Sequence, residues 1–207
     1  MTATDLPAPK RPWNKGVLVG QKRPLIAREV WAIRVRLEMA GDARELALFN
    51  LAIDSKLRAC DLLALAVEDV FAGGRAKDRA TVVQRKTRRP VHFEISPQTR
   101  TSLEGWLRRR PSVPSRYLFP SRVAPGGHLS TRQYARIVHR WIRSIGLDST
   151  AYGTHTMRRT KASAIYRATS NIRAVQLLLG HAKLESTVRY LGVEIEDALS
   201  IAERIEL

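Results

Sequence analysis

Between residues 67 and 95 the hydrophobic pattern of this chain changes period, and that change limits the folds open to it. Before it, Ile26, Val30, Ile33 and Leu37 stand at helical spacing. Asp42 and Glu45 form a capping-box pair ahead of a second apolar run, Leu46 to Ile53. A short helix is expected from Asp61 to Leu65. Then Val67 to Phe71, Thr81 to Gln84 and Val91 to Ile95 alternate and carry β-branched residues. Gly73-Gly74 and Arg88-Arg89-Pro90 separate them as turns. These three runs predict a small three-stranded antiparallel sheet. Helices return after it. Ser96-Pro97 opens one that runs to Arg109, Ser130 caps another through Ile145, and His155 to Ala168 makes a third. Asn171 to Leu179 is helical and ends at Gly180; Leu184 to Leu191 and Ile195 to Ile205 follow. About eight helices around one small sheet make a mainly helical α+β domain.

Charge narrows the partners. Lys and Arg number 36 against 19 Asp and Glu, a formal charge of +17 on 207 residues. Such an excess calls for a polyanion, and nucleic acid is the commonest. The charge is clustered. Residues 1–25 hold Lys10, Arg11, Lys15, Lys22 and Arg23 among four prolines and read as a basic, extended arm. Arg75, Lys77, Arg79, Arg85, Lys86, Arg88 and Arg89 make a second cluster. Arg108 to Arg110 and then Arg132, Arg136, Arg140 and Arg143 make a third. From Glu185 the tail turns acidic, so the body is expected to face nucleic acid and the tail protein.

The apolar share of 44% argues against intrinsic disorder. No apolar run reaches the roughly 18 residues of a membrane span. The start, MTATDLPAPKRPW, lacks the apolar stretch of a secretory signal. One cysteine, Cys60, excludes an internal disulfide and fits a reducing compartment, so a cytoplasmic location is expected. Cys60, His155 and His181 lack zinc-ligand spacing, and no phosphate-cradling glycine loop occurs, so neither metal nor cofactor is expected. Trp31, Trp106 and Trp141 lie in apolar stripes and read as core, and Cys60 as a small buried residue.

Three short patterns remain. Leu57-Arg58-Ala59-Cys60-Asp61-Leu62 is one, His155-Thr156-Met157-Arg158-Arg159 a second, and Leu178-Leu179-Gly180-His181 with Tyr190 nine residues on a third. Each alone has an ordinary structural explanation: a salt-bridged arginine, a chance His–Arg face, a helix cap, a core tyrosine. Together and in this order they resemble the catalytic domain of the tyrosine recombinase (phage integrase) family. The resemblance runs from about residue 25 to about residue 205 and carries over the first-arginine, H-x-x-R and L-G-H…Y motifs. Lys86, in Val83-Gln84-Arg85-Lys86-Thr87, matches the lysine that the family carries in a β-turn.

The resemblance implies a site-specific recombinase that cuts and rejoins duplex DNA through a 3′-phosphotyrosine. Arg58 and Arg158 would grip the phosphate, Tyr190 would be the nucleophile and His155 its general base. Lys86 would protonate the leaving 5′-oxygen, His181 would bond a non-bridging oxygen, and Asp61 would hold Arg58 or His155 from behind. Those residue types suit the chemistry. Guanidinium forks match the oxygens of a phosphorane, and a phenol with a pKa near 10 needs a base or a positive field. Lys10, Arg11, Lys15, Arg85, Arg88, Arg89, Arg132 and Arg159 are further expected DNA contacts. Double-stranded DNA, a homo-oligomer forming a tetrameric synapse, and a DNA-bending accessory protein are the implied partners. The body would span residues 26–193, and a C-terminal helix over 194–207 would be exchanged between protomers. A type IB topoisomerase and a non-catalytic DNA-binding regulator on the same fold stay open as alternatives. Two departures from the family pattern stand out: Arg159 where many members have histidine, and Asp54-Ser55-Lys56 where Thr-Gly is usual. A third is size, since the family's separate core-binding domain has only the short arm in its place.

Overall fold

The computed structural model describes residues 21–111, 115–192 and 203. Lys10, Arg11 and Lys15 of the basic arm lie outside the described residues, as does the expected last helix apart from Glu203. Nine α-helices and four short strands are present among the described residues.

Helix α2 (Ala43–Ser55) is the axis of the body. Asp42 caps it, its carboxylate accepting the Glu45 N–H at 2.9 Å, as the sequence predicts. Every residue from Ala47 to Ser55 is buried, because α1 (Ala27–Met39), α5 (Pro97–Arg109) and α7 (Thr154–Thr169) surround it. Ser96 caps α5 with Pro97 in the first turn, and Ser130 caps α6 (Thr131–Ser144) through the Gln133 N–H. Both caps answer backbone donors that a helix start leaves open. Trp106 and Trp141 are core, but Trp31 is 67% exposed. Its helix turns Val30, Ile33 and Leu37 inward, and position 31 falls on the opposite face.

The sheet differs from expectation. Val67–Val70 is a helical turn, α4, following the short α3 (Ala59–Leu63). The Asp69 carboxylate accepts the Ala66 N–H at 2.7 Å and closes that turn. Val67, Val70 and Phe71 fit helical spacing as well as alternation, so five residues could not decide between them. Beyond this turn the chain forms two separate hairpins and not one three-stranded sheet. Strand β1 (Phe71–Ala72) pairs with β2 (Arg75–Ala76) around Gly73-Gly74, both at positive φ. Strand β3 (Arg79–Val83) pairs antiparallel with β4 (Pro90–Glu94), with Val82 opposite Val91.

The C-terminal third hangs on α7. Asn171 caps α8 (Ile172–Leu179), Gly180 ends it in the left-handed conformation, and α9 (Leu184–Leu191) returns. Ala162, Val175 and Leu179 form a small second core that Tyr190 and Leu191 pack against. Ahead of α1, the last residues of the basic segment already lie on the body. Arg23 N–H donates to Ala151 O at 3.1 Å and Leu25 is buried. No helix among the described residues is long and apolar enough to cross a membrane.

Candidate active site

The site forms where two helix C-termini meet the start of α7. Arg158 lies one turn into α7 and is almost fully buried. Its guanidinium donates to Lys56 O at 2.6 Å and to Leu179 O at 2.8 Å. Lys56 caps the end of α2 and Leu179 is the last residue of α8, so both carbonyls have lost their helical partners. They orient the guanidinium without neutralising it. Burial pushes its pKa down to about 10, opposed by nearby Tyr190 and Asp61, so it stays charged at neutral pH.

Arg58 caps α3 and donates to the side-chain oxygen of Gln84. Gln84 is buried just past β3, and its amide nitrogen donates to the same Leu179 O at 3.2 Å. One glutamine thus ties the first arginine, the β3–β4 turn and the end of α8. Thr87 also donates to Gln84 Oε1, at 3.0 Å, which shapes the turn that carries exposed Lys86. Lys86 is close enough to His155 to help hold that imidazole's pKa down, after burial, Arg158, Arg58 and Arg159.

His181 follows Gly180 directly. Its Nδ1 lies 3.1 Å from Thr187 Oγ1, and its ring meets that of Tyr190 edge-on at 5.4 Å. Burial, then Arg158 and Arg58, push its pKa down to about 4. The Tyr190 hydroxyl is buried and has no hydrogen-bond partner among the described residues. Burial pushes its pKa up to about 12, while Arg158, Arg159 and Arg58 pull the other way. Arg158 and Arg159 stand 6.0 and 5.3 Å from its ring centre. Among the described residues, none of Arg58, Arg158 and Arg159 pairs with a carboxylate. The arrangement is a cluster of cations whose charge is left free for an anion, with a phenol in its midst.

The phage integrase family model matches residues 27–196. The chain belongs to the phage integrase family. It is 30% identical over 162 residues to the probable integrase/recombinase YoeC of Bacillus subtilis (strain 168), covering 78% of this chain and 84% of that protein. It is 28% identical over 195 residues to the tyrosine recombinase XerC of Haemophilus ducreyi, covering 88% of this chain and 62% of that one. The chain therefore spans about three-fifths of its XerC relatives. Among solved structures, XerA recombinase superposes with a TM-score of 0.74 at 20% identity, over 91% of this chain and 67% of that one. XerH site-specific recombinase bound to palindromic difH substrate, a post-cleavage complex, gives 0.71 at 22% identity, over 91% and 56%. These likenesses are of fold.

The fold brings together Arg58, His155, Arg158, His181 and Tyr190 from four separate segments, with Lys86 at the rim. Asp61 departs from its expected place. Its Oδ1 accepts the Arg85 backbone N–H at 2.9 Å, and its Oδ2 is buried without a partner among the described residues. It bonds neither Arg58 nor His155, because Gln84 occupies the position beside Arg58. Arg85, Arg88, Arg89 and Arg132 are exposed, but Arg159 is not a surface residue. Cys60 is only half-buried. Two residues of the candidate site escaped the sequence reading. Gln84 carried no signal beyond its place two residues before Lys86. Lys56 carried one, since a non-glycine stands there where the family prefers glycine. No group of residues suited to a metal occurs among the described residues.

Proposed function

We propose that the chain is the catalytic domain of a site-specific DNA recombinase that breaks and rejoins duplex DNA through a 3′-phosphotyrosine. One observation carries this reading: guanidiniums held by neutral carbonyls and an amide surround a phenol that has no hydrogen-bond partner among the described residues. A structural cluster would neutralise buried arginines with acids. An anion-binding site leaves them charged, and a phosphorane needs that charge most.

In the proposed reaction Tyr190 Oη bonds to phosphorus as the phenol proton leaves to His155. His155 sits below the ordinary imidazole range and is neutral, hence able to accept it, at physiological pH. Arg58 and Arg158 hold the non-bridging oxygens with His181. The bond from phosphorus to the 5′-oxygen breaks, and Lys86 gives that oxygen its proton. The phosphotyrosine conserves the ester's energy, so a second 5′-hydroxyl can reverse the step without a nucleotide cofactor. Exposed Arg85, Arg88, Arg89 and Arg132 would meet the DNA backbone. Assembly as a tetramer on DNA, with residues 194–207 exchanged between protomers and DNA bent by an accessory protein, completes the proposal. The setting would be the cytoplasm.

A pool of nicked duplexes that lose a short strand on cleavage tests the chemistry. The wild-type chain should become covalently attached to DNA, and Tyr190→Phe should not. An identical adduct with Tyr190→Phe would defeat the assignment. Relaxation of any supercoiled plasmid, without site dependence, would favour a topoisomerase.

A further inference from the structure

Arg159 directly follows Arg158 on α7, and its surroundings are unusual. Only 8% of it is exposed, yet its Nε is buried with no hydrogen-bond partner among the described residues. The guanidinium makes no ion pair among the described residues. A buried guanidinium with open donors is costly unless something takes them up. Its Cζ lies 5.3 Å from the Tyr190 ring centre, nearer than that of Arg158 at 6.0 Å. Arg159 also lines a cavity of about 370 Å³ together with His155, Tyr190, Ser186 and Lys22.

We infer that Arg159 is a nucleophile-activating residue: it stabilises the Tyr190 phenolate against burial and so readies it for attack. The inference rests on the reading of Tyr190 as the nucleophile. Arg158 is committed to two carbonyls, and Arg58 to Gln84. Arg159 alone of the three makes no such hydrogen bond among the described residues, so its donors are open to the charge on the phenol. A cation beside a ring face is also attracted to the neutral phenol, and that attraction grows when the phenol ionises. The helix that carries Tyr190 leaves few other sources of charge. His155, Arg158 and Arg159 face the phenol from α7, Arg58 from the start of α3, His181 from the turn before α9 and Lys22 from the segment before α1; Arg189 lies on its own helix. Among these Arg158 and Arg159 act most strongly on the phenol.

The experiment places a ring-fluorinated tyrosine, a more acidic phenol, at position 190 of the full chain and titrates it by fluorine NMR without DNA. Arg159→His is the neutral variant, because imidazole is uncharged where the phenol titrates. The phenol's ionisation constant should fall about tenfold in Arg159→His, one pKa unit. If Arg159→His does not fold, Arg159→Gln serves instead. An unchanged phenol pKa in the folded neutral variant overturns the inference. A second arm measures adduct formation at neutral pH. Arg159→Lys should stay within about threefold of wild type and Arg159→His should slow about tenfold. Equal losses in both would overturn it, since they would mark Arg159 as a shape requirement. Absence of any wild-type adduct would instead count against the recombinase reading, which the titration does not use.

Discussion

Lys56 shows how one residue can serve both the fold and the site. It sits at φ 53° with its side chain wholly buried, where a left-handed turn ends α2. That turn aims its carbonyl at Arg158. Its ammonium lies 3.0 Å from both Glu94 oxygens, and Lys161 bridges Glu94 and Asp54 at 2.6 Å each. The ion network therefore stands behind a backbone conformation that costs a non-glycine residue about 1 kcal/mol. Lys56→Ala and Lys56→Gly both lose the ion pair, but only alanine keeps the strain. The glycine variant should be the more stable by about 1 kcal/mol in urea unfolding; equal stabilities would mean that the turn is unstrained. His181 makes a second prediction. Its pKa falls to about 4 in the fold, against an ordinary value of 6.5. Between those values the unfolded chain binds a proton that the folded chain refuses. Stability should therefore decline as pH drops from 6.5 towards 4 and lose no more from this group below that. His181→Gln should flatten that stretch of the curve, and an unaltered curve would refute the prediction.

At the scale of elements, the turn from α8 into α9 is where fold and chemistry meet. Gly180 is at φ +65°, and a Cβ there would lie 2.4 Å from Val91 Cγ2 on β4 and 3.2 Å from Gln84 Nε2. Only glycine satisfies both the left-handed angle and the approach of β4. That approach brings Leu179 O within reach of both Arg158 and Gln84. Gly180→Ala must push α8 away from β4 and with it the carbonyl that orients Arg158. We expect a stability loss of at least about 2 kcal/mol and a slower cleavage even below the melting temperature. Retained cleavage in the folded variant would show that α8 is not what holds the arginine. The same logic explains the corrected sheet. A two-residue hairpin around Gly73-Gly74 and a longer one around the Lys86 turn are separate sheets, and the second packs against α8.

For the whole molecule, the charge of +17 sets the expected terms of DNA binding. Displacing counterions from a duplex makes affinity fall steeply with salt, with a slope of about −0.9 per phosphate neutralised. Arg88 and Arg89 are exposed next to the Lys86 turn. Replacing both by glutamine should reduce the magnitude of the slope by between about 1 and 2, with little change in melting temperature. An unaltered slope would place the duplex elsewhere on the surface. The interior and the surface are electrically distinct in this design. Acids pair within the Lys56 network beneath the site, while the guanidiniums above it make no ion pair among the described residues.

Read alone, the sequence determined the helices, because caps such as Asp42, Ser96, Ser130 and Asn171 and the apolar period are local signals. It also determined which residue types gather, through motifs whose order along the chain is itself information. It could not tell a helical turn from a strand at Val67–Val70, since five residues hold too little of either period. Nor could it put Asp61 on the Arg85 amide, Gln84 beneath Arg58 or Arg159 against Tyr190. Those pairings join positions up to 31 residues apart along the chain. They depend on side-chain directions and on which carbonyls are left open at helix ends. Such facts exist only once α2, α7, α8 and the β3–β4 hairpin have packed, because burial decides which charges must find partners and which are left for a ligand.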